Sequence, residues 1–242
     1  SFVFCLCLLL LFSQFLPSNF GGDAARIYYL AKTSDNIHNA VNSVFLDRIT
    51  GLLSLSVLVI ATTGLTWTAA GSVILRLQNY FLGLFVLGFL MLLGMFIFRQ
   101  YIHRSFSSRI LSFCQQLAAD LFQLVGFGRI GLSVWSLSLC IHLITVLSVY
   151  ILTKALNIEI TFFHILWAVP LTLLFSSVPV TISGWGVREG LMIITLGVAG
   201  IATEASLALS VLFGFLLALI AVPGLVMWII HRSGKQIVIG NT

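Results

Sequence analysis

The chain has 242 residues, of which 60% are hydrophobic and only 8% charged, with a mean hydropathy of +1.13. Soluble domains average about 25% charged residues, so this composition cannot clothe a water-facing surface and points to lipid as the solvent. The formal net charge of +5 does not indicate nucleic acid, because the Lys and Arg residues are spread over connecting segments and form no basic cluster with interleaved aromatics; no nucleic-acid partner is expected.

A membrane-crossing helix needs about 20 apolar residues. In chain order the expected spans are Phe2–Leu16, Ile49–Trp67, Tyr80–Phe98, Ile130–Leu152, Phe162–Val180, the short Leu191–Ile201, and Ala205–Ile230. Helices are the default, since backbone in lipid must satisfy its own hydrogen bonds. Strand-period alternation is absent, which disfavours a barrel. The fold class expected is all-α: a polytopic transmembrane helical bundle with broken or re-entrant helices and an internal repeat.

The chain begins at Ser1, directly before the run FVFCLCLLLLF, without a Met or a basic segment. A clipped span is the expectation, and residues 1–242 are taken as one N-terminally truncated transmembrane domain with no soluble domain. Cys5, Cys7, Cys114 and Cys140 include no CxxC pair, so neither a disulfide framework nor a zinc site is implied. No metal and no cofactor is expected.

Charge sets the expected orientation. Pro17–Arg48 and Arg99–Arg129 are the Arg- and Lys-rich connections and should be cytoplasmic, whereas the intervening loops carry only Arg76 and Lys154. The Arg99–Arg129 linker has Leu111, Leu117, Leu121 and Leu124 near helical spacing. It reads either as an amphipathic helix on the leaflet surface or as a connector helix.

Two segments interrupt the apolar monotony. The first is Pro17-Ser-Asn-Phe-Gly21-Gly22-Asp23-Ala-Ala-Arg26. The second is Pro179-Val-Thr181-Ile-Ser-Gly184-Trp185-Gly186-Val-Arg188-Glu189-Gly190. Both place Gly five residues and Arg nine residues after a Pro, at an offset of 162 residues. Pro and Gly end regular helix. Interrupted helices in matching halves point to a transporter's binding site, and helix N-terminal N–H groups beside an Arg suit an anion such as phosphate. The alternative is an ordinary loop with an interfacial Arg. Four expected spans separate the two, which would make the repeat parallel; a re-entrant segment near Leu30–Phe45 would change that count and could make it inverted.

Asp47-Arg48 stands before Ile49, and Asp23 and Arg26 would share a helix face. Charged residues at membrane depth are functional suspects; for Asp47, anchoring at a helix N-terminus is the plainer reading. The candidate substrate-binding residues are therefore Gly21, Gly22, Asp23, Arg26, Asp47, Arg48, Thr181, Gly184, Gly186, Arg188 and Glu189. No HExxH, GxSxG or P-loop occurs, so no catalytic residue is assigned. His142 and His164 could face each other across neighbouring spans, but a histidine satisfied within the bundle is the plainer reading than a ligand.

PSNFGGDAARIYYL followed by AVNSVFLDRITGLLSL, and VPVTISGWGVREGLMI followed by ALSVLFGFLLALIAVPGL, resemble the lysylphosphatidylglycerol synthase transmembrane region, also described as a flippase-like domain family. The resemblance runs from about Phe12 to Trp228. It implies a multi-span protein of a bacterial or archaeal cell membrane. In some members this domain precedes a soluble aminoacyl-phospholipid synthase and is thought to move the modified lipid between leaflets. The expected function is lipid translocation, with a membrane phospholipid or lipid-linked anion as partner. The alternatives are a membrane-embedded lipid-modifying transferase and a non-catalytic scaffold for an envelope-lipid enzyme; that enzyme or a homo-oligomer would be the protein partner.

Overall fold

A computed structural model describes residues 20–34, 37–66, 79–80, 83, 94, 113, 116–121, 128–177 and 185–239. Regular structure among them is helical throughout. The main elements are α1 (Phe20–Ser34), α2 (Ile37–Thr66), α3 (Arg129–Ala155), α4 (Phe162–Ser176), α5 (Val187–Val198) and α6 (Thr203–Ile239). The expected spans Phe2–Leu16 and, apart from isolated positions, Tyr80–Phe98 lie outside the described residues.

Among the described residues, three stretches are long and apolar enough to cross a membrane: Ile37–Thr62 in α2, Arg129–Ala155, which is α3, and Thr203–Pro223 in α6. The α3 surface explains why lipid is required. Ile130, Leu132, Leu137, Ile141, Ile144, Leu147 and Ile151 are all exposed, an apolar strip that water would penalise at roughly 25 cal/mol per Å².

α4 and α5 are of a different kind. At 1.5 Å per residue they reach only about 22 and 18 Å, short of the roughly 30 Å hydrocarbon core. α4 sits in the middle of the packing. It contacts α2, α3 and α5, while α5 also packs on α6 and α1 packs on α2. Eight of its residues are buried, from Ile165 to Leu174, with Pro170 among them. Pro170 removes one backbone hydrogen bond from the helix. The core joins Leu55 and Val59 of α2, Val146 and Val149 of α3, Trp167 and Leu171 of α4, Met192 and Leu196 of α5, and Leu209 and Phe213 of α6.

Two helix ends reverse the chain sharply. After α3, Asn157 takes a left-handed φ of 54°, and the Ile158 and Asn157 N–H groups donate to the Thr153 and Lys154 carbonyls. After α5, Gly200 does the same at φ 81°, with Ile201 and Gly200 donating to Leu196 and Gly197. Both are Schellman closures, in which the αL residue satisfies carbonyls the helix leaves open. The second folds α6 back antiparallel along α5.

Three expectations need correction. Pro17–Arg48 is not a loop: α1 occupies residues 20–34, and α2 begins at Ile37, ahead of the expected start at Ile49. Its polar first turns are helical because Ala40, Asn42 and Val44 turn inward and are buried. Asp47 therefore lies well inside α2, and anchoring at a helix N-terminus does not account for it. The two motifs also differ locally. Trp185 and Gly186 form a turn, whereas Asp23 and Ala24, which stand 162 residues before them, are helical. The motifs are not superposable helix breaks at these positions.

Of the Arg99–Arg129 linker, the described part includes helical residues 116–121, with Leu117, Ala118 and Leu121 buried. It docks on α2: the Asn42 side-chain amide donates to the Asp120 carboxylate, and Phe113 meets Phe45 edge-on at 6.0 Å. His142 turns to α2 as well, its Nε2 lying 3.2 Å from the Gly51 carbonyl, so it satisfies the bundle and is not paired with His164.

Candidate functional site

The candidate residues fall into two groups. Gly21, Gly22, Asp23 and Arg26 lie in the first turns of α1, and Asp47 and Arg48 lie in α2. Antiparallel neighbours place them crosswise. Arg26 reaches Asp47 at 2.5 Å, and Arg48 grips both Asp23 oxygens, through Nε and Nη2, each at 2.8 Å. The Arg48–Asp23 contact is bidentate, which adds directionality to charge. Asp23 is the shielded member, with 15% of its side chain exposed against 56% for Asp47. Gly22 is buried.

The second group surrounds the start of α5. Thr181 and Gly184 lie outside the described residues. Gly186 precedes the helix at φ 87°, ψ −54°, a conformation that side chains rarely adopt. Its carbonyl accepts the first helical hydrogen bond, from Gly190 N–H at 3.0 Å, while its own N–H donates to the Glu189 carboxylate. That return bond is one half of a capping box.

Arg188 follows, and its side chain is only 5% exposed. Its Nη2 donates to Glu189 Oε1 at 2.8 Å, and the Ser210 hydroxyl of α6 lies 3.4 Å from the same oxygen. Aromatic faces flank the guanidinium: its carbon lies 4.9 Å from the Trp185 ring centroid and 5.7 Å from that of Phe213. These are cation–π distances. Trp185 is braced edge-on by Phe215 at 6.3 Å. The Arg188 Nε is buried and has no hydrogen-bond partner among the described residues.

Gly214 makes room for this arrangement. A Cβ there would strike the Arg188 Nη2 and lie 2.9 Å from the Trp185 ring. Ser206, Ser210 and Gly214 form one stripe on α6 at a spacing of four, facing α5. Ser206 and Ser210 are fully buried, and the Ser206 hydroxyl has no partner among the described residues. Further along α5, Thr195 meets Thr172 of α4 at 3.3 Å.

Sequence reasoning named Arg188, Glu189 and Gly186, which the structure brings together, but not their neighbours Ser210, Phe213 and Gly214, nor the Asn42–Asp120 link. The available signal was the small-residue spacing of Ser206, Ser210 and Gly214 inside an apolar run, which marks a face that admits close approach.

The features define a membrane-embedded helical protein with a buried, ion-paired arginine at the start of a short interior helix. The chain belongs to a family: residues 5–224 match the family model described as "Lysylphosphatidylglycerol synthase TM region", which ties the protein to lipid metabolism or transport. No curated protein matches the chain, and no solved structure does.

Proposed function

We propose that this protein is a multi-pass lipid translocase of the cell membrane, moving a phosphate-bearing lipid between leaflets with Arg188 as the head-group anchor. The observation that carries the reading is the Arg188 guanidinium itself. It is buried in a membrane protein, and its Nε lacks a partner among the described residues. Burying a charge is costly even in an ion pair, so one that is kept inside a membrane protein is a functional suspect. Arg also presents a planar fork that grips two phosphate oxygens at once. The short α5 starts beside it, and the N–H groups of a helix's first turn attract anions. Family membership supports a lipid as the ligand.

Reconstitution into vesicles with a tail-fluorescent phosphatidylglycerol tests this. The wild-type chain should speed exchange between leaflets over protein-free vesicles. Arg188→Lys keeps the charge but loses the fork and the stacking, and should slow exchange about ten-fold or more, the scale of one desolvated charge-assisted hydrogen bond. An Arg188→Lys variant that inserts normally and moves lipid at the wild-type rate would make Arg188 an anchor at the interface and remove the reason for placing the site there.

A further inference from the structure

We propose that Asn42 and Asp120 form a binding site for a monovalent metal cation, sodium being the type, at the seam where the linker helix docks on α2. The site shares no residue with the Arg188 cluster and does not depend on the lipid reading.

The argument starts from what the two side chains leave unsatisfied. The Asn42 amide nitrogen donates to the Asp120 carboxylate. The oxygen of the same amide, Asn42 Oδ1, is buried and has no hydrogen-bond partner among the described residues. Asn42 is only 4% exposed, and a buried acceptor left unmet is both costly and uncommon. Asp120 has the matching deficit. Asp23, Asp47 and Glu189 are each held by an arginine, and Asp120 makes no ion pair among the described residues. Its contact in the seam is a neutral amide, which leaves the carboxylate charge in place. The surroundings do not screen it well. Leu117, Ala118 and Leu121 are buried beside it in the sequence of the linker helix, and Phe113 packs on Phe45. Apolar walls strengthen the pull of a carboxylate on a cation.

One ligand answers both deficits. An amide carries its nitrogen and oxygen on one carbon, and a carboxylate carries both its oxygens on one carbon. The bond from Asn42 Nδ2 to one Asp120 oxygen can therefore set the other beside Asn42 Oδ1, and a cation takes the two oxygens together. Amide and carboxylate oxygens are hard donors, which suit alkali and alkaline-earth ions and not the soft transition metals. Charge then chooses between those two groups. A single carboxylate with a monovalent ion is neutral, whereas a divalent ion would leave surplus charge against apolar walls. Calcium also takes about 6–8 oxygens. Asp120 is partly exposed, so water can complete the shell of a less demanding ion. The two ligands stand 78 residues apart in the chain, so the bound ion ties the linker helix to α2.

Binding of radioactive sodium to the purified full chain in detergent tests this, with choline holding the ionic strength constant. The wild-type chain should bind sodium saturably. Asp120→Asn keeps the shape and loses the charge, and should weaken binding at least about ten-fold. Asn42→Leu keeps the branched shape and loses the amide oxygen, and should weaken it about five-fold. Amide hydrogen exchange gives the location: sodium in place of choline should slow exchange in residues 116–121, and should not do so in Asp120→Asn. The absence of saturable binding by the wild-type chain overturns the proposal, as does binding that Asp120→Asn leaves unchanged. Calcium that competes more strongly than sodium overturns the monovalent assignment. Protection of residues 116–121 that acid supplies in choline, without sodium binding, gives the charge to a proton on Asp120 and overturns the metal site. If the variants do not fold, exchange in the wild-type chain decides: sodium-dependent slowing centred on residues 116–121 supports the site, and slowing spread evenly over the helices refutes it.

Discussion

Gly214→Ala tests whether the Arg188 geometry matters, through a residue that carries no charge and no polar side-chain atom. The added methyl would overlap the Arg188 Nη2 and stand 2.9 and 3.0 Å from two Trp185 ring atoms. Ordinary carbon contacts lie near 3.5–4.0 Å, so ring and guanidinium must retreat by roughly 1 Å. The guanidinium cannot retreat and keep its 2.8 Å bond to Glu189. A guanidinium displaced by that much no longer presents its fork where a ligand phosphate would meet it, and losing one such charge-assisted bond should cost about 2 kcal/mol, a factor of about thirty in lipid affinity. Binding of tail-fluorescent phospholipid in detergent measures it, with thermal unfolding run in parallel to show that the variant is folded. A double-mutant cycle identifies the route. In an Arg188→Ala background the Gly214→Ala change should have little further effect on binding, because the group it displaces is gone. Wild-type affinity in Gly214→Ala, or the same loss in both backgrounds, would refute the claim that Gly214 acts through Arg188.

Other expectations concern stability. Gly186→Ala meets no neighbour within 4 Å, so its cost is backbone strain at φ 87° alone, about 1–3 kcal/mol, read as a lowered unfolding temperature. Asp23→Asn should destabilise more than Asp47→Asn. Asp23 is shielded and held by a bidentate Arg48, whereas the half-exposed Asp47 should contribute under about 1 kcal/mol; unfolding at low and high salt separates them, the Asp47 contribution being the one that salt removes. Asp120→Ala takes the acceptor from the buried Asn42 amide and should cost about 1–3 kcal/mol, with Asp120→Asn costing less. Equal unfolding temperatures for the two Asp120 variants would show that the carboxamide is solvated.

How far the molecule is readable from its sequence depends on how local the determining physics is. The α3 span, Arg129–Ala155, was legible as Ile130–Leu152 because hydropathy is a property of a window. The early start of α2 was not, because residues 37–48 look polar in isolation. Their polarity is absorbed by partners remote in sequence: Asn42 by Asp120, Asp47 by Arg26, and Arg48 by Asp23. Arg188 and Glu189 stood out as charges among glycines. Gly214 did not, since a glycine within an apolar helix leaves hydropathy almost unchanged, and its role appears once α6 folds back on α5 at Gly200. The similarity of the two Pro/Gly/Arg motifs was visible in the letters. Their difference in register was not, because it depends on where each helix begins: α1 has started by Phe20, well before Arg26, while α5 starts one residue before Arg188.

That register bears on what the site is for. The N-terminus of a helix carries roughly half a positive charge, so a cation in its first turn is disfavoured. Arg188 is the second residue of α5 and is buried there, which places two sources of positive potential together away from water. Helix stability alone gives no reason for this. Glu189 supplies the compensation within the chain: it accepts from the Gly186 N–H and from Arg188, and the Ser210 hydroxyl lies within reach of the same carboxylate. The resting site is thus an anion-attracting position whose anion is built in. On the proposed function, a ligand phosphate would have to compete with a carboxylate already held by the same donors. Resting neutrality, a guanidinium with one donor unpartnered among the described residues, and aromatic faces beside the carboxylate are then parts of one arrangement, in which the carboxylate compensates the buried charge within the chain.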